Sequence, residues 1–190
     1  MKTIRKNNRT HKDILLTAQK LFSQNGYAET SMSKIAGELK ITKAALYYHF
    51  SSKEKIFEQI FNETADRFLD DINNSLKKNS NENKLRSIIY NELKYSVTQN
   101  KIIQPITMRE IPSEKFIKKM LKIQGVVENN ILSLVRNIFK EKNINRNPEL
   151  VSRTLIDSLE GVILRRSITG KKKLNIKRTT ENILTVFVEK

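Results

Sequence analysis

The sequence predicts an all-α protein of about nine helices, for three reasons. Apolar residues recur at the i, i+3, i+4 spacing of amphipathic helices through most of the chain. No stretch shows convincing strand-like alternation of apolar and polar residues. The 190 residues include only five Gly and three Pro, too few for the many tight turns of an all-β fold.

Composition excludes several classes of function. Cysteine is absent, so disulfides, thiolate zinc sites and cysteine nucleophiles are excluded. The sequence also lacks a glycine-rich phosphate loop, a G-x-S-x-G motif and a His/Asp/Glu cluster at metal-ligand spacing. We therefore expect no enzyme activity, no cofactor and no metal. The basic amino-terminal segment has no apolar signal-peptide run, and no stretch approaches the roughly 18 apolar residues of a membrane span. These features favour a cytoplasmic protein with no membrane partner.

The charge of the chain points to a polyanionic partner. The formal net charge is +16, and residues 1–53 carry ten Lys or Arg against three Asp or Glu. This stretch is roughly twice as basic per residue as the remainder. A lysine bias along the whole chain explains part of the total charge. The amino-terminal excess favours a region that binds nucleic acid.

Three short helices are predicted at the start of the chain. Gly26 ends the first helix, and Thr30 or Ser31 begins the second. After a short break at residues 40–41, Thr42 begins the third. Two helices joined by a turn of about three or four residues form a helix-turn-helix unit, whose second helix, here the third of the chain, lies in the major groove of DNA.

The residues of the third helix fall into two groups, predicted contacts to base edges and predicted contacts to phosphates. Lys43, Ala44 and Tyr47 share its outward face and are placed to reach base edges. The alternative for Tyr47 and the neighbouring Tyr48 is packing as half-buried aromatics of a small domain. A catalytic or zinc role for His49 lacks partners, because the chain has only two histidines. Predicted phosphate contacts lie at the end of this helix and at the helix starts, namely Tyr48, His49, Lys53, Thr30, Ser31 and Thr42.

The stretch Ile14–Phe61 closely resembles the DNA-binding domain of the TetR family of repressors. The matching pieces are A-x-x-L-F-x-x-x-G-Y-x-x-T-S, then I-A, then L-Y-Y-H-F-x-S-K-E, all in one register. The resemblance covers roughly residues 10–61. The family usually has glycine in the turn before the third helix, where this sequence has Lys40. A lysine with positive φ would cost about 1–2 kcal/mol there.

Residues 54–190 are predicted to form a larger helical domain for effector binding and dimerisation, following a DNA-binding domain of residues 1–53. The basic loop Lys171–Lys173 is interpreted as solvated, with a nucleic-acid contact as the alternative. The predicted elements are a long helix after the capping box Ser51-x-x-Glu54, a helix from Leu85 to Val97, a short helix around Ile102–Arg109 disturbed by Pro105, a helix from Ser113 to Lys142, one from Asn147-Pro148 to about Gly170, and a last helix.

The resemblance implies a homodimer joined through the last two helices. Thr154, Ser158 and Gly161 form a face of small residues that would let another helix approach closely. The alternative is that this face packs within one subunit. The predicted interface residues are Ser158, Gly161, Val162, Ile183 and Phe187.

The resemblance also implies an effector pocket among the middle helices. Polar residues that interrupt apolar helix faces are its candidate lining, namely Tyr90, Tyr95, Gln124, Glu128 and Asp157, with Glu92 and Gln99 as further polar positions. A pocket lined by such carboxylates would suit a cationic or amphipathic molecule.

Together these features predict a transcriptional repressor that binds double-stranded DNA as a homodimer. We expect an inverted-repeat operator, and release by an unidentified small-molecule effector. One alternative is a constitutive or protein-controlled repressor without a small-molecule ligand. A nonspecific nucleoid-type DNA-binding protein is the other.

Overall fold

The computed structural model describes residues 2–107, 114–169 and 174–188, with side chains over 10–98, 114–165 and 174–188. In this part of the chain every regular element is a helix, so the all-α prediction is confirmed. There are eight helices here: α1 (Lys2–Asn25), α2 (Met32–Glu38), α3 (Lys43–His49), α4 (Lys53–Ser75), α5 (Asn81–Thr107), α6 (Glu114–Lys142), α7 (Pro148–Thr169) and α8 (Ile176–Val188).

The predicted interruption before Pro105 is wrong, because α5 continues to Thr107. A proline removes one backbone donor, and in the last turn of a helix the other hydrogen bonds can still complete the turn. The two helices predicted from Leu85 to Arg109 are therefore one over the described residues. Pro112, Gly170 and the basic loop 171–173 lie outside the described residues.

Side-chain caps set the helix starts. The Ser31 Oγ and the Thr42 Oγ1 each accept the backbone N–H three residues ahead, at 3.1 Å in both cases. Asn147 Oδ1 does the same for α7 at 2.9 Å. Helix α4 is capped by Ser52, one residue later than the predicted Ser51, at 3.2 Å. Each cap satisfies one of the N–H groups that a helix start leaves unpaired.

The turn between α2 and α3 is a Schellman motif. The Ile41 N–H donates to the Ala36 carbonyl at 3.0 Å, and the Lys40 N–H donates to the Gly37 carbonyl at 3.1 Å. Lys40 has φ 54°, the left-handed conformation that this motif requires and that glycine adopts most easily. Lys40 therefore keeps the left-handed turn in which the family usually has glycine, and carries the strain of a side chain there.

The chain forms two compact units. The first comprises Met1–Asp66 and Asn100–Ile117, and the second comprises Arg67–Gln99 and Lys118–Lys190. The first unit runs past the predicted boundary at residue 53, because the front half of α4 belongs to its core.

A cluster of aromatic rings forms the centre of the first unit. Phe57 of α4 lies 5.9 Å from Phe22 and 5.2 Å from Tyr27, measured between ring centroids. Phe116 of α6 lies 5.7 Å from Phe57 and 5.0 Å from Phe61. These are edge-on arrangements, which favour aromatic pairs beyond the area they bury.

The second unit has an aliphatic core contributed by α4 to α8. Its buried members are Phe68, Ile72, Leu85, Ile88, Ile89, Leu93, Val127, Ile131, Leu134, Val135, Ile138, Phe139, Val151, Leu155, Leu159, Ile183, Leu184 and Val188. Burial of this many apolar side chains is the main source of stability for the unit.

We expect Lys40→Gly to raise the free energy of unfolding by about 0.5–1 kcal/mol, because glycine relieves the left-handed strain at some entropic cost. Lys40→Ala is the matched control, since it removes the same charge and keeps the Cβ. Urea unfolding followed by circular dichroism measures both. Equal stabilities of the Gly and Ala variants would contradict the proposed strain.

Candidate nucleic-acid interface

Helix α3 presents an open face opposite a buried one. Leu46 is fully buried, whereas Lys43 and Ala44 are exposed. Tyr47 is 51% exposed and Tyr48 is 78% exposed. The exposure of Tyr48 argues against packing of its ring in a small domain, whereas Tyr47 exposes about half of its surface. The face therefore offers a cation, a methyl group and two phenols to a partner.

Thr30 does not lie on this surface. Its predicted phosphate contact is therefore wrong. Thr30 is fully buried, and its Oγ1 donates to the Gly26 carbonyl at 2.8 Å. Its N–H donates to the Tyr27 carbonyl at 3.2 Å. The residue thus stabilises the turn between α1 and α2. Ser31 and Thr42, the two helix caps, are exposed.

Lys53 is engaged with the same turn. Its Nζ donates to the carbonyls of Tyr27 at 2.7 Å and Ala28 at 3.4 Å. The ammonium also lies 4.1 Å from the centroid of the Tyr27 ring, a cation–π contact. Lys53 therefore ties the first turn of α4 to the turn that precedes α2. Its predicted phosphate contact stays a prediction.

His49 has a neighbour that sequence reasoning missed. The ring of His11 in α1 lies 6.2 Å from the His49 ring and stacks on Phe50 at 4.6 Å. Its Nε2 lies 3.0 Å from Gln59 Oε1. No local pattern links residues this far apart in sequence. In the described part of the chain, no three His, Cys, Asp or Glu side chains are grouped to hold a metal.

In the second unit, α7 carries an exposed stripe. Leu150, Thr154, Asp157, Gly161 and Leu164 follow alternating steps of four and three residues, and all are exposed. Leu150 is 65% and Leu164 61% exposed. A Cβ added at Gly161 would meet nothing within 4 Å. The small face therefore does not pack inside the single chain at this glycine.

The other predicted interface residues divide in two. Ser158 and Val162 are half-buried beside the stripe, and Phe187 packs partly on the core. Ile183 is buried in the core of its own chain, which corrects its predicted place in the dimer interface. Val186, which sequence reasoning missed, is 65% exposed on α8.

The predicted pocket residues do not form one site. Asp157 lies on the exposed stripe of α7, so its place in the pocket is corrected. Tyr90 lines a surface groove with none of the other four. Tyr95 packs on Phe68, with 4.7 Å between ring centroids. Burial, and after it the carboxylate of Asp71, raises the pKa of Tyr95.

Gln124 and Glu128 do come together, in a cluster with two further carboxylates. Gln124 Nε2 donates to Glu128 Oε1 at 2.9 Å and to Glu160 Oε1 at 3.2 Å. Burial, and after it the negative charge of Glu160, raises the pKa of Glu92 to about 7. Within the described residues Glu92 has no hydrogen bond or ion pair to offset its charge. We call these four residues the carboxylate cluster.

A buried ring core, two capped seven-residue helices and an exposed recognition face define a DNA-binding regulator of the helix-turn-helix class. The profile described as bacterial regulatory proteins, tetR family, matches residues 14–60. The HTH-type transcriptional regulator QacR of Staphylococcus aureus (strain Mu50) is 30% identical over 172 residues, which span 85% of this chain and 87% of QacR. The chain belongs to the TetR family of transcriptional regulators.

Other relatives agree over nearly the whole length. The biofilm operon icaADBC HTH-type negative transcriptional regulator IcaR of S. aureus (strain Newman) is 28% identical, covering 93% of this chain and 98% of IcaR. The structure of the TetR family regulator PfmR from Thermus thermophilus matches with a TM-score of 0.71 at 22% identity, over 92% and 96% of the two chains. FadR of Bacillus subtilis, solved in complex with stearoyl-CoA, matches with a TM-score of 0.67 at 17% identity, over 93% and 97%. None of the described helices has the length and apolar character that a membrane crossing requires.

Substitutions on the α3 face distinguish contacts to base edges from contacts to phosphates. We expect Lys43→Ala and Tyr47→Ala to relax preference at particular base pairs by about 1–3 kcal/mol. Tyr48→Phe should instead weaken binding to all sequences about equally, because a phosphate contact carries no sequence information. Affinities for a panel of single-base operator variants measure both effects. Unchanged preference in the first two variants would show that the reading face lies elsewhere.

Salt dependence separates the two roles open to Lys53. Because its ammonium holds the turn carbonyls, we expect Lys53→Met to lower the thermal midpoint and weaken DNA binding uniformly, with an unchanged salt slope. Lys53→Arg should restore part of the affinity. The control Lys43→Met removes an exposed cation placed at base edges, so we expect it to change the preference at particular base pairs. A reduction of about 0.9 in the slope of log K against log salt in Lys53→Met would establish a phosphate contact instead.

Proposed function

We propose that the chain is a homodimeric repressor that leaves an inverted-repeat operator when a small molecule binds its second unit. The exposed α3 face of Lys43, Ala44 and Tyr47 carries this proposal, because it is placed on a buried scaffold as a major-groove reader requires. One such face covers a single half-site. High specificity then requires two faces in one particle.

The exposed stripe on α7 supports a dimer. Leu150 and Leu164 would lose their exposure if two copies of α7 met, and Gly161 would let the helix backbones approach closely. The five residues of the exposed α7 stripe follow alternating steps of four and three residues, which is the spacing of a coiled-coil seam. A twofold axis would relate the two α3 helices, so the operator is an inverted repeat with half-site centres about 34 Å, or a multiple of it, apart.

The carboxylate cluster supports a cationic effector. A carboxylate removed from water without a partner is unfavourable, and Glu92 shows this in its pKa of about 7. A ligand cation placed beside Glu92 and Glu160 would remove this penalty. An anionic ligand such as the stearoyl-CoA bound by B. subtilis FadR would instead increase it.

Helix α6 offers a route from effector to DNA. Its first turn, up to Ile117, belongs to the first unit, and the remainder belongs to the second. In that first turn, Phe116 is buried against Phe57 and Phe61, and Lys115 Nζ lies 3.0 Å from a Glu58 carboxylate oxygen. A ligand that shifts α6 in the second unit would thus disturb the scaffold of α3.

Gly161→Leu tests the seam. We expect a large shift toward monomer and loss of operator affinity, because the added side chain holds the paired helices apart at a cost of about 1–3 kcal/mol. Gly125→Leu is the control, since Gly125 is also helical and a Cβ there also meets nothing within 4 Å. Analytical ultracentrifugation measures the oligomer. A fully dimeric Gly161→Leu protein with normal DNA binding would place the seam elsewhere.

Release by matched probes tests the effector. We expect decyltrimethylammonium, below its micelle concentration, to release operator DNA, whereas decanoate should not. Because Glu92 has a pKa of about 7 and a cation binds its ionised form, the Kd should fall about tenfold from about pH 6 to about pH 8. Fluorescence anisotropy of labelled operator measures both.

Two variants complete that test. Glu92→Gln should abolish the pH dependence and most of the release, with operator affinity unchanged in the absence of the cation. Asp70→Asn removes an exposed carboxylate of the same unit and should behave as the unmodified protein. Equal release by the cation and by decanoate, or release that survives Glu92→Gln, would contradict a cationic effector at this cluster.

A further inference from the structure

A groove of about 430 Å³ lies in the second unit, between the segment after α4, the start of α5 and α8. Its basic lining residues are Lys78, Arg86 and Lys177, and Glu181 is the single carboxylate among the residues that line it. Tyr90 contributes an aromatic ring that is partly exposed. The volume falls in the range of about 300–1,000 Å³ typical of small-molecule sites. We call it the basic groove.

The charges of the basic groove do not cancel. Arg86 Nε donates to both carboxylate oxygens of Glu181, at 3.1 and 3.2 Å, so this acid is already neutralised. Within the described residues, Lys78 and Lys177 have no acidic partner. The groove therefore keeps two cations whose field favours a negatively charged ligand.

Three other polar side chains of the groove already have hydrogen-bond partners, namely Arg86, Thr180 and Ser87. Arg86 Nη1 donates to Asn83 Oδ1 at 2.7 Å, which fixes the guanidinium together with Glu181. Thr180 is buried and donates to the Ile176 carbonyl at 2.9 Å. Ser87 Oγ lies 2.8 Å from Ser75 Oγ. A ligand thus meets a preorganised floor, with the lysines and the Tyr90 ring left to contact it.

We propose that the basic groove is a second ligand site, which binds a small aromatic carboxylate. The carboxylate pairs with Lys78 and Lys177, and the flat ring packs on Tyr90. The charged group of the ligand meets two cations, and its apolar ring meets the ring of Tyr90. The chemistry is opposite to that of the carboxylate cluster, and the site does not depend on the effector proposed for that cluster.

Titration calorimetry of the full-length protein with 2-naphthoate tests the proposal. We expect saturable binding, at least about tenfold tighter than that of the matched alcohol 2-naphthylmethanol or the matched cation 2-naphthylmethylammonium. The double variant Lys78→Gln, Lys177→Gln should weaken naphthoate binding about tenfold. Tyr90→Leu should weaken naphthoate and the alcohol alike, because it removes the ring contact and no charge.

Two controls make the outcome decisive. Lys140→Gln combined with Lys122→Gln removes the same charge from exposed positions of α6 and should leave naphthoate affinity unchanged. Glu92→Gln should also leave it unchanged, which separates this site from the effector site. Equal loss in the α6 double variant, or no preference for naphthoate over its alcohol, would overturn the proposal. So would a changed dimerisation constant, or a reduced DNA salt slope, in the groove double variant, because either would assign the groove to a partner chain or to DNA phosphates.

Discussion

The burial of Phe57 among aromatic rings is the contact on which the DNA-binding surface depends. Helices α2 and α3 have seven residues each, and helices this short are unstable on their own. Phe57 is fully buried against Phe22 and Tyr27, so α4 meets the end of α1 and the turn that leads into α2. Lys53 reinforces this junction through the Tyr27 carbonyl. The orientation of the exposed face of α3 therefore depends on the packing of this ring cluster.

Phe116 brings the first turn of α6 into the same cluster, and α6 continues from there into the second unit. The release of DNA that we propose depends on a ligand-induced shift of this continuous helix. The second unit carries two groups of charges that the described residues do not neutralise, the carboxylate cluster and the basic groove. Unpaired charge near a surface is a natural place for ligand recognition, because a ligand of opposite sign removes an existing penalty.

Local features of this molecule are predictable from its sequence, whereas long-range contacts are not. The caps at Ser31 and Thr42 follow from residues within one turn of each other. The stacking of His11 on Phe50 joins distant segments that no periodicity relates. Periodicity also identifies an apolar face without saying what covers it, which is why it predicts Ile183 at the dimer interface although the side chain is buried in its own core, and does not single out the exposed Leu164. Pocket residues are predicted least well, because polar interruptions occur both in open stripes and in buried clusters.

The proposed function requires that two α3 helices of a homodimer read one inverted repeat. Selection of bound sequences from random DNA, followed by hydroxyl-radical footprinting of the selected site, tests it most directly. We expect an enriched inverted repeat with two protected patches whose centres lie about one or two helical turns apart, at roughly 34 Å per turn. A single asymmetric half-site protected by one monomer, or no enriched sequence at all, would contradict it.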